Sequence, residues 1–358
     1  MSMTPGLSLL LEGANRSFAT RIADLGLAAS LDTSARPSPG DIVLARVTKL
    51  GQHRHLELVS GRRAQLYVGD TVIVAYGNRY ATDQFEAVVP ASQDACHLVA
   101  AGGIAAVAVS RHISMKAPTD IRPLGILRDA NGIVLNLSRW GWPGVATPAS
   151  AASQPHMIAV VGSSMNAGKT TLCANVIRTL RACGLNASAL KLTGTGSGGD
   201  IWKYLDAGAL EAMDFGTVGL ASTAGMDVRA LDAAISRLCA AVSPRADIIV
   251  AEIADGILQR ETSQLLQQSN LRGRIGSLLF AGSDPLGTIA GVQLLSSWGL
   301  DVSAVSGMLV TSPLAVREFS SFCSTPVIFH DEAEPQDIAA HLFAPAIVQP
   351  VKKHAAQR

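Results

Sequence analysis

Aromatic side chains are scarce in this chain, at 4% of 358 residues, and charged side chains reach only 16%. So little charge beside 48% hydrophobic residues excludes an extended, solvated chain and points to compact cores. Nor does one sign of charge prevail. There are 29 lysines and arginines against 28 aspartates and glutamates, a net charge of +1. That balance gives no electrostatic case for nucleic acid or an anionic membrane as the main partner. Cysteine is sparse as well. Cys96, Cys173, Cys183, Cys239 and Cys323 are odd in number and lack CxxC spacing. They exclude a disulfide framework and a cysteine zinc site, and read as reduced thiols. No uninterrupted run of about 18 apolar residues, long enough to span a bilayer, is present. The opening MSMTPGLSLLLEGANR has only a short apolar run and no basic leader, which makes a poor signal peptide. A cytoplasmic protein is expected, long enough for two or three domains. No repeat of 20–50 residues is evident.

What is present divides into two periodicities. From Asp41 to Pro90 the apolar residues alternate, in DIVLARVTKL, HRHLELVS, RAQLYV and TVIVAYGNRY. Turn-formers separate these runs: Gly51, Ser60-Gly61, Gly69-Asp70 and Gly77-Asn78. A small antiparallel β domain is expected, with further strands in CHLVAA, AAVAVS and IRPLGILRD and one helix around Asn15 to Ala29. Residues 144–156, GVATPASAASQPH, are small and uncharged and suit a linker. After them the pattern changes. The apolar runs MIAVVG, ASALKL, DIIVAEIA, IGSLLFAG and VSAVSGMLV alternate with helical segments starting near Lys169, Leu231, Glu261, Pro285 and Pro313. Strands apolar throughout, separated by helices, predict a doubly wound, mostly parallel sheet covered on both faces. The expected fold class is therefore α/β, with this sheet at 157–345, a smaller β-rich domain at 1–145 before it and a tail at 346–358.

The strand MIAVVG leads through a glycine-bounded loop into the helical TLCANVIRTL. The loop comprises Gly162, Ser163, Ser164, Met165, Asn166, Ala167 and Gly168, and then Lys169, Thr170 and Thr171 open the helix. A phosphate chain is held by backbone N–H groups that curl around it at a helix N-terminus. A lysine reaches the outer phosphates, and a Ser or Thr hydroxyl takes a magnesium position. The usual spacing is G-x4-G-K-[ST]. Here five residues separate Gly162 from Gly168, and Ser163 stands where a glycine is expected. Nucleotide binding is expected on motif and context together, with a plain strand–helix turn as the alternative.

Three further residues lie at or just after predicted strand ends, on the edge that carries this loop: Lys191, Asp200 and Glu252. Magnesium takes oxygen ligands, usually one or two carboxylates completed by phosphate and water. Thr170, Asp200 and Glu252 would meet that need. Asp200 could instead cap the helix before IWKYLDAG, and Glu252 could be a solvated or helix-capping carboxylate. Lys191 would neutralise charge that develops during transfer, or stand free at the surface. The turn TGTGSGGD, Thr193 to Asp200, could admit substrate close to the backbone or be a mobile loop. Asp255 could orient water or substrate, or belong to a turn.

G-x5-G-K-T-T after a buried strand resembles dethiobiotin synthetase and its relatives among P-loop proteins, which include the cobyrinic acid amide synthases. The likeness covers residues 157–330 as separated motifs. ALKLTGTGSGGD, with Lys191 and Asp200, is similar to the family's second strand and its Thr/Ser/Gly-rich turn. IIVAEIADG, with Glu252 and Gly256, is similar to its third, and LLFAGSDPLGTIAG to its fourth. The resemblance implies ATP and Mg2+, and an enzyme that activates a carboxylate-bearing metabolite by phosphoryl transfer, either kinase or ligase. In that reading Lys169, Lys191 and Glu252 are catalytic. The chain departs from the family where an Asn commonly ends the fifth strand; GMLVTSP offers Thr311 and Ser312. It also lacks the extra loop lysine of partitioning-type dimeric ATPases, and the β-rich half has no counterpart in dethiobiotin synthetase. The alternative is a nucleotide-hydrolysing switch or chaperone acting on a protein partner. No NKxD-like base motif is visible, which favours ATP over GTP. The expected partner is a small-molecule substrate, and a homodimer is left open.

Elsewhere, His53 and His55 share one strand face and read as exposed strand residues. Arg62, Arg63, Asn78, Arg79, Tyr80 and Asp83 read as hairpin tips or anion contacts. Gly102 and Gly103 mark a tight turn. His112, Lys116 and Arg122 form a basic stretch without a fixed role.

Overall fold

The computed structural model describes residues 5–143 and 155–328. The expected linker at 144–156 lies outside them except for its last two residues, and the tail at 346–358 lies outside them entirely. Two compact units result. The first takes the described chain up to residue 143 together with Leu192–Trp202 and Met213–Ala241. The second takes residues 155 to 191, Lys203–Ala212 and 242 to 328.

In the first unit, the alternating stretch becomes strands Ile42–Lys49, Thr71–Tyr76, Cys96–Ala100, Ile104–Arg111 and Thr119–Arg128. Their pairings form a closed ring. Thr71–Tyr76 pairs with Ile42–Lys49, which pairs with Thr119–Arg128, then Cys96–Ala100, then Ile104–Arg111. Ile104–Arg111 returns to Thr71–Tyr76 through the parallel partners Ile104 and Ala75. Closure leaves these five strands no open edge to pair with another chain. Period-two alternation here divides residues between two cores rather than between core and water. Ile42, Leu44, Ile73 and Ala75 enter one cluster, while Val43, Ala45, Val72, Val74 and Tyr76 enter the other. That is why DIVLARV and TVIVAY are almost wholly apolar. Cys96 sits in the second cluster, where burial pushes its thiol pKa up to about 12 and leaves it unreactive.

The helix expected around Asn15 to Ala29 does not form. A helix occupies Pro5–Glu12 instead; Asn15–Arg16 then joins the sheet, and Phe18–Thr20 and Leu25–Leu27 are single 3-10 turns. The Arg16 guanidinium explains the break. It donates to the carbonyls of Thr20 at 2.8 Å and Arg21 at 3.2 Å and also to that of Ala23, so the segment folds around this side chain.

His53 and His55 also part ways. His55 is exposed on strand His55–Glu57, whereas His53 is tucked inward. Its Nδ1 lies 3.2 Å from the Leu98 carbonyl oxygen, and its ring is 5.7 Å from that of Phe85. Burial, and then the charge of Arg79, pull its pKa from 6.5 to about 4. The folded protein thus keeps His53 neutral where the unfolded chain would protonate it. Stability is expected to be lost as pH falls from about 6.5 toward 4, by roughly 2–3 kcal/mol. Urea midpoints between pH 7.5 and 4.5 measure this, and His53→Gln should flatten that slope.

The Gly-rich turn after Lys191 is held in place within the first unit. Gly194 N–H donates to Thr223 Oγ1 at 2.8 Å, and Gly196 N–H to the Ala221 carbonyl at 3.0 Å. The buried carboxylate of Glu57 accepts from Gly198 N–H at 2.9 Å, Ser197 Oγ at 3.0 Å and Trp202 Nε1 at 3.3 Å. Gly102 is needed for this approach: a Cβ there would lie 1.9 Å from the Gly196 carbonyl oxygen. Arg79 and Asn78 prove structural too, donating to the carbonyls of Val99 and Ala224.

The second unit carries the apolar runs in a six-stranded sheet. Its order is Glu211–Asp214, Ala187–Lys191, Ile248–Glu252, His156–Gly162, Ile275–Gly282, Ala304–Gly307. The last five pair in parallel. Strand Glu211–Asp214 is the element that sequence periodicity does not reveal, being short and polar at an edge. Helices Lys169–Ala182, Arg260–Gln268, Pro285–Ser297 and Pro313–Phe322 start within a residue of expectation. The helix expected near Leu231 runs Val228–Ala240, started by an Asp227 side chain that accepts from Arg229 N–H, and belongs to the first unit. Ile158, Val160, Leu172, Val176, Ile177, Leu180, Val250 and Leu279 join sheet and helix in one core. Among the described residues, no helix is long and apolar enough to cross a membrane.

Candidate nucleotide site

Strand His156–Gly162 lies between Ile248–Glu252 and Ile275–Gly282. From it the chain crosses Ile248–Glu252 to reach Ala187–Lys191. From Ile248–Glu252 it crosses back the other way, to Ile275–Gly282. The connections therefore diverge between these two neighbours. Such a switch point opens a crevice beyond the strand C-termini, where ligands of open α/β sheets bind. The loop Gly162–Gly168 stands there.

Local stereochemistry shapes that loop. Asn166 has φ +62° and Gly168 φ +99°, both left-handed, with Lys169 starting the helix directly after. Alternating left- and right-handed residues turn successive N–H groups toward a common centre. Asn tolerates the left-handed region better than other side-chain-bearing residues, and so suits the longer loop. No side chain caps the helix N-terminus at Gly168. Both ends of the loop are pinned. Ser163 N–H donates to the Ala281 carbonyl at 3.0 Å, and Met308 N–H to that of Ala167 at 3.0 Å. Gly307, at φ +91°, admits no side chain, because a Cβ would lie 2.4 Å from the Ala167 oxygen.

The charged residues gather at three adjacent strand ends. Lys191 and Glu252 are register partners on neighbouring strands, and Glu252 is also the partner of Val160, two residues before the loop. Lys169, Lys191 and Glu252 are all buried, at 6%, 9% and 3% exposure. Lys169 Nζ donates to the Ser164 carbonyl at 2.8 Å. Burial draws the Lys169 pKa down, while the negative charges of Glu252 and Asp255 push it back up and that of Lys191 opposes them. Asp255 is thus electrostatically part of this cluster. The buried Tyr204 hydroxyl donates to the Glu252 carboxylate and fixes its direction.

Thr170 is the second residue of the helix and Thr171 the third. Among the described residues, no three His, Cys, Asp or Glu side chains assemble into a metal cage. Magnesium is ordinarily held by few protein ligands, with phosphate oxygens and water completing its shell. Thr170 and Glu252 supply a hydroxyl and a carboxylate in the second unit. Asp200 is the second residue of helix Gly199–Asp206 and falls in the first unit. Thr311 and Ser312 bond locally, Thr311 Oγ1 to the Met308 carbonyl and Ser312 Oγ to Ala315 N–H. Tyr204 escapes sequence reading; it sits on the short helix Gly199–Asp206, whose start was legible only in Asp200.

No family model matches the chain, and no curated protein does. Among solved structures it is similar to the signal recognition particle receptor FtsY from Elizabethkingia anophelis. That match has 17% identity and a TM-score of 0.36 over 57% of this chain and 65% of that one. FtsY from Mycoplasma mycoides matches at 15% identity and TM-score 0.30, over 49% and 59%. The signal recognition particle 54 kDa protein from Aeropyrum pernix K1, in complex with GDP, matches at 15% and 0.24, over 48% and 45%. The chain thus spans less than two thirds of each of these proteins. Likeness this partial decides neither fold nor activity, and it lends nothing to the narrower dethiobiotin synthetase reading.

Proposed function

We propose that the second unit binds a nucleoside triphosphate with Mg2+ on the loop Gly162–Thr170 and hydrolyses it. The observation that carries this is the placement of a doubly left-handed loop, ending in a helix N-terminus, at the switch point of a parallel sheet. Lys169 meets the outer phosphates there. Thr170 and Glu252 would hold magnesium, which when bound offsets phosphate charge. Lys191 lies beside Glu252, where it opposes negative charge that develops on the transferred group. Positioning and electrostatics of this kind suffice for transfer to water. Transfer to a carboxylate-bearing metabolite, the kinase or ligase reading, would need an acceptor site for which no separate observation speaks. The nucleotide-driven switch is therefore preferred.

Calorimetry with ATP and with GTP, each in excess magnesium, tests binding and identifies the base. Binding heat with one of them, saturating at roughly micromolar concentration, and slow phosphate release are expected. Absence of heat with both, on folded protein, overturns the reading. Turnover that appears only with an added carboxylate metabolite would restore the kinase or ligase.

A further inference from the structure

Lys203 lies on helix Gly199–Asp206, and its Nζ donates to Thr171 Oγ1 at 2.7 Å. Thr171 is in the first turn of the loop helix, one residue past Thr170. Two features make this contact unusual. First, the ammonium is matched with a neutral hydroxyl; among the described residues Lys203 makes no ion pair. Both side chains are exposed, so burial does not hold them together. Second, the backbone that carries Lys203 is fixed by its neighbour. Tyr204 is 1% exposed, packs in the core of the second unit, and hydrogen bonds Glu252 through its hydroxyl. The lysine therefore has a buried neighbour anchoring its backbone and an exposed head bonded to a neutral hydroxyl beside the loop helix.

We propose that Lys203 is a phosphate-binding residue of the same site, which exchanges its Thr171 hydrogen bond for a phosphate oxygen when nucleotide binds. This rests on the nucleotide reading above. The energetics favour the exchange. A charge-assisted bond to phosphate is roughly twice as strong as one to a neutral acceptor, and a lysine serves phosphate as a flexible point charge. A helix N-terminus next to it adds to the pull on the anion. The exchange needs only side-chain rotation over the first turn of the helix, with no backbone movement. Lys203 then adds a third cation to Lys169 and Lys191 around a ligand of high negative charge.

The test measures the affinity of Mg-ATP and Mg-GTP by calorimetry for wild type, Lys203→Ala and Lys203→Arg, with melting temperatures alongside. Lys203→Ala is expected to weaken binding about tenfold, with the melting temperature within about 2 °C of wild type. Lys203→Arg is expected to restore affinity to within about threefold, because it returns the charge. An alanine variant that binds as tightly as wild type overturns the proposal. So does an arginine variant as weak as alanine, or a fall in melting temperature that accompanies the loss, since either makes the Thr171 contact a structural brace. Failure of the underlying reading looks different: wild type itself then gives no heat with either nucleotide, and both proposals fall together.

Discussion

Lys169→Ala is expected to weaken nucleotide binding about 100-fold or more. Lys169 is buried, donates to the Ser164 carbonyl, and stands at the junction of loop and helix. Removing it takes away the charge nearest the outer phosphates and one of the positive charges beside Glu252 and Asp255. The loop itself should survive, because its two ends are pinned by main-chain bonds to Ala281 and Met308. Fluorescence titration with a labelled nucleotide analogue measures the loss, and circular dichroism shows whether the fold is intact. Wild-type affinity in Lys169→Ala would remove this lysine from the site. The pH dependence has a definite sign. Burial lowers the Lys169 pKa, so its ammonium is lost at lower pH than for an ordinary lysine. Affinity should accordingly decline with rising pH earlier than a solvent-exposed lysine would allow.

Glu252→Gln should leave binding largely in place and reduce magnesium-dependent turnover about 10²–10³-fold. The amide keeps the shape of the carboxylate and can still accept from Tyr204. It cannot offer magnesium an anionic oxygen. Phosphate release at saturating nucleotide, followed across a magnesium titration, separates the two effects. Full turnover in Glu252→Gln would exclude the carboxylate from the metal position. The same variant makes a second measurement possible. Glu252 is the largest of the charges that raise the Lys169 pKa, so its removal should shift the high-pH loss of affinity to still lower pH. A pH profile that does not move would show that the two side chains are uncoupled.

Much of the second unit is legible in the order of residues, for reasons that are local. Runs such as MIAVVG and DIIVAEIA are apolar at every position because both faces of a parallel strand are covered, and helix starts announce themselves through Asp284 and Pro285 or Ser312 and Pro313. Gly162, Gly168, Lys169 and Thr170 are legible because the strand before them and the helix after them are also local patterns. The first unit is legible as strands, since period two survives even when both faces are buried. It is not legible as a ring, because closure depends on Ile104 meeting Ala75, which no local pattern encodes. The stretch from Asn15 to Ala29 shows the opposite failure. Its helical periodicity is real, but the Arg16 guanidinium outcompetes the helix for its carbonyl groups.

By itself, then, the amino-acid order determined which apolar segments are strands, where the glycine-bounded loop between strand and helix lies and which lysine follows it. Each of these follows from side-chain period and backbone stereochemistry over a few residues. Tertiary structure alone decided that Lys191 and Glu252 stand side by side, that Tyr204 holds the carboxylate, and that Lys203 reaches Thr171. These neighbours are 61, 48 and 32 positions apart, and strand order and helix packing, not sequence spacing, bring them together.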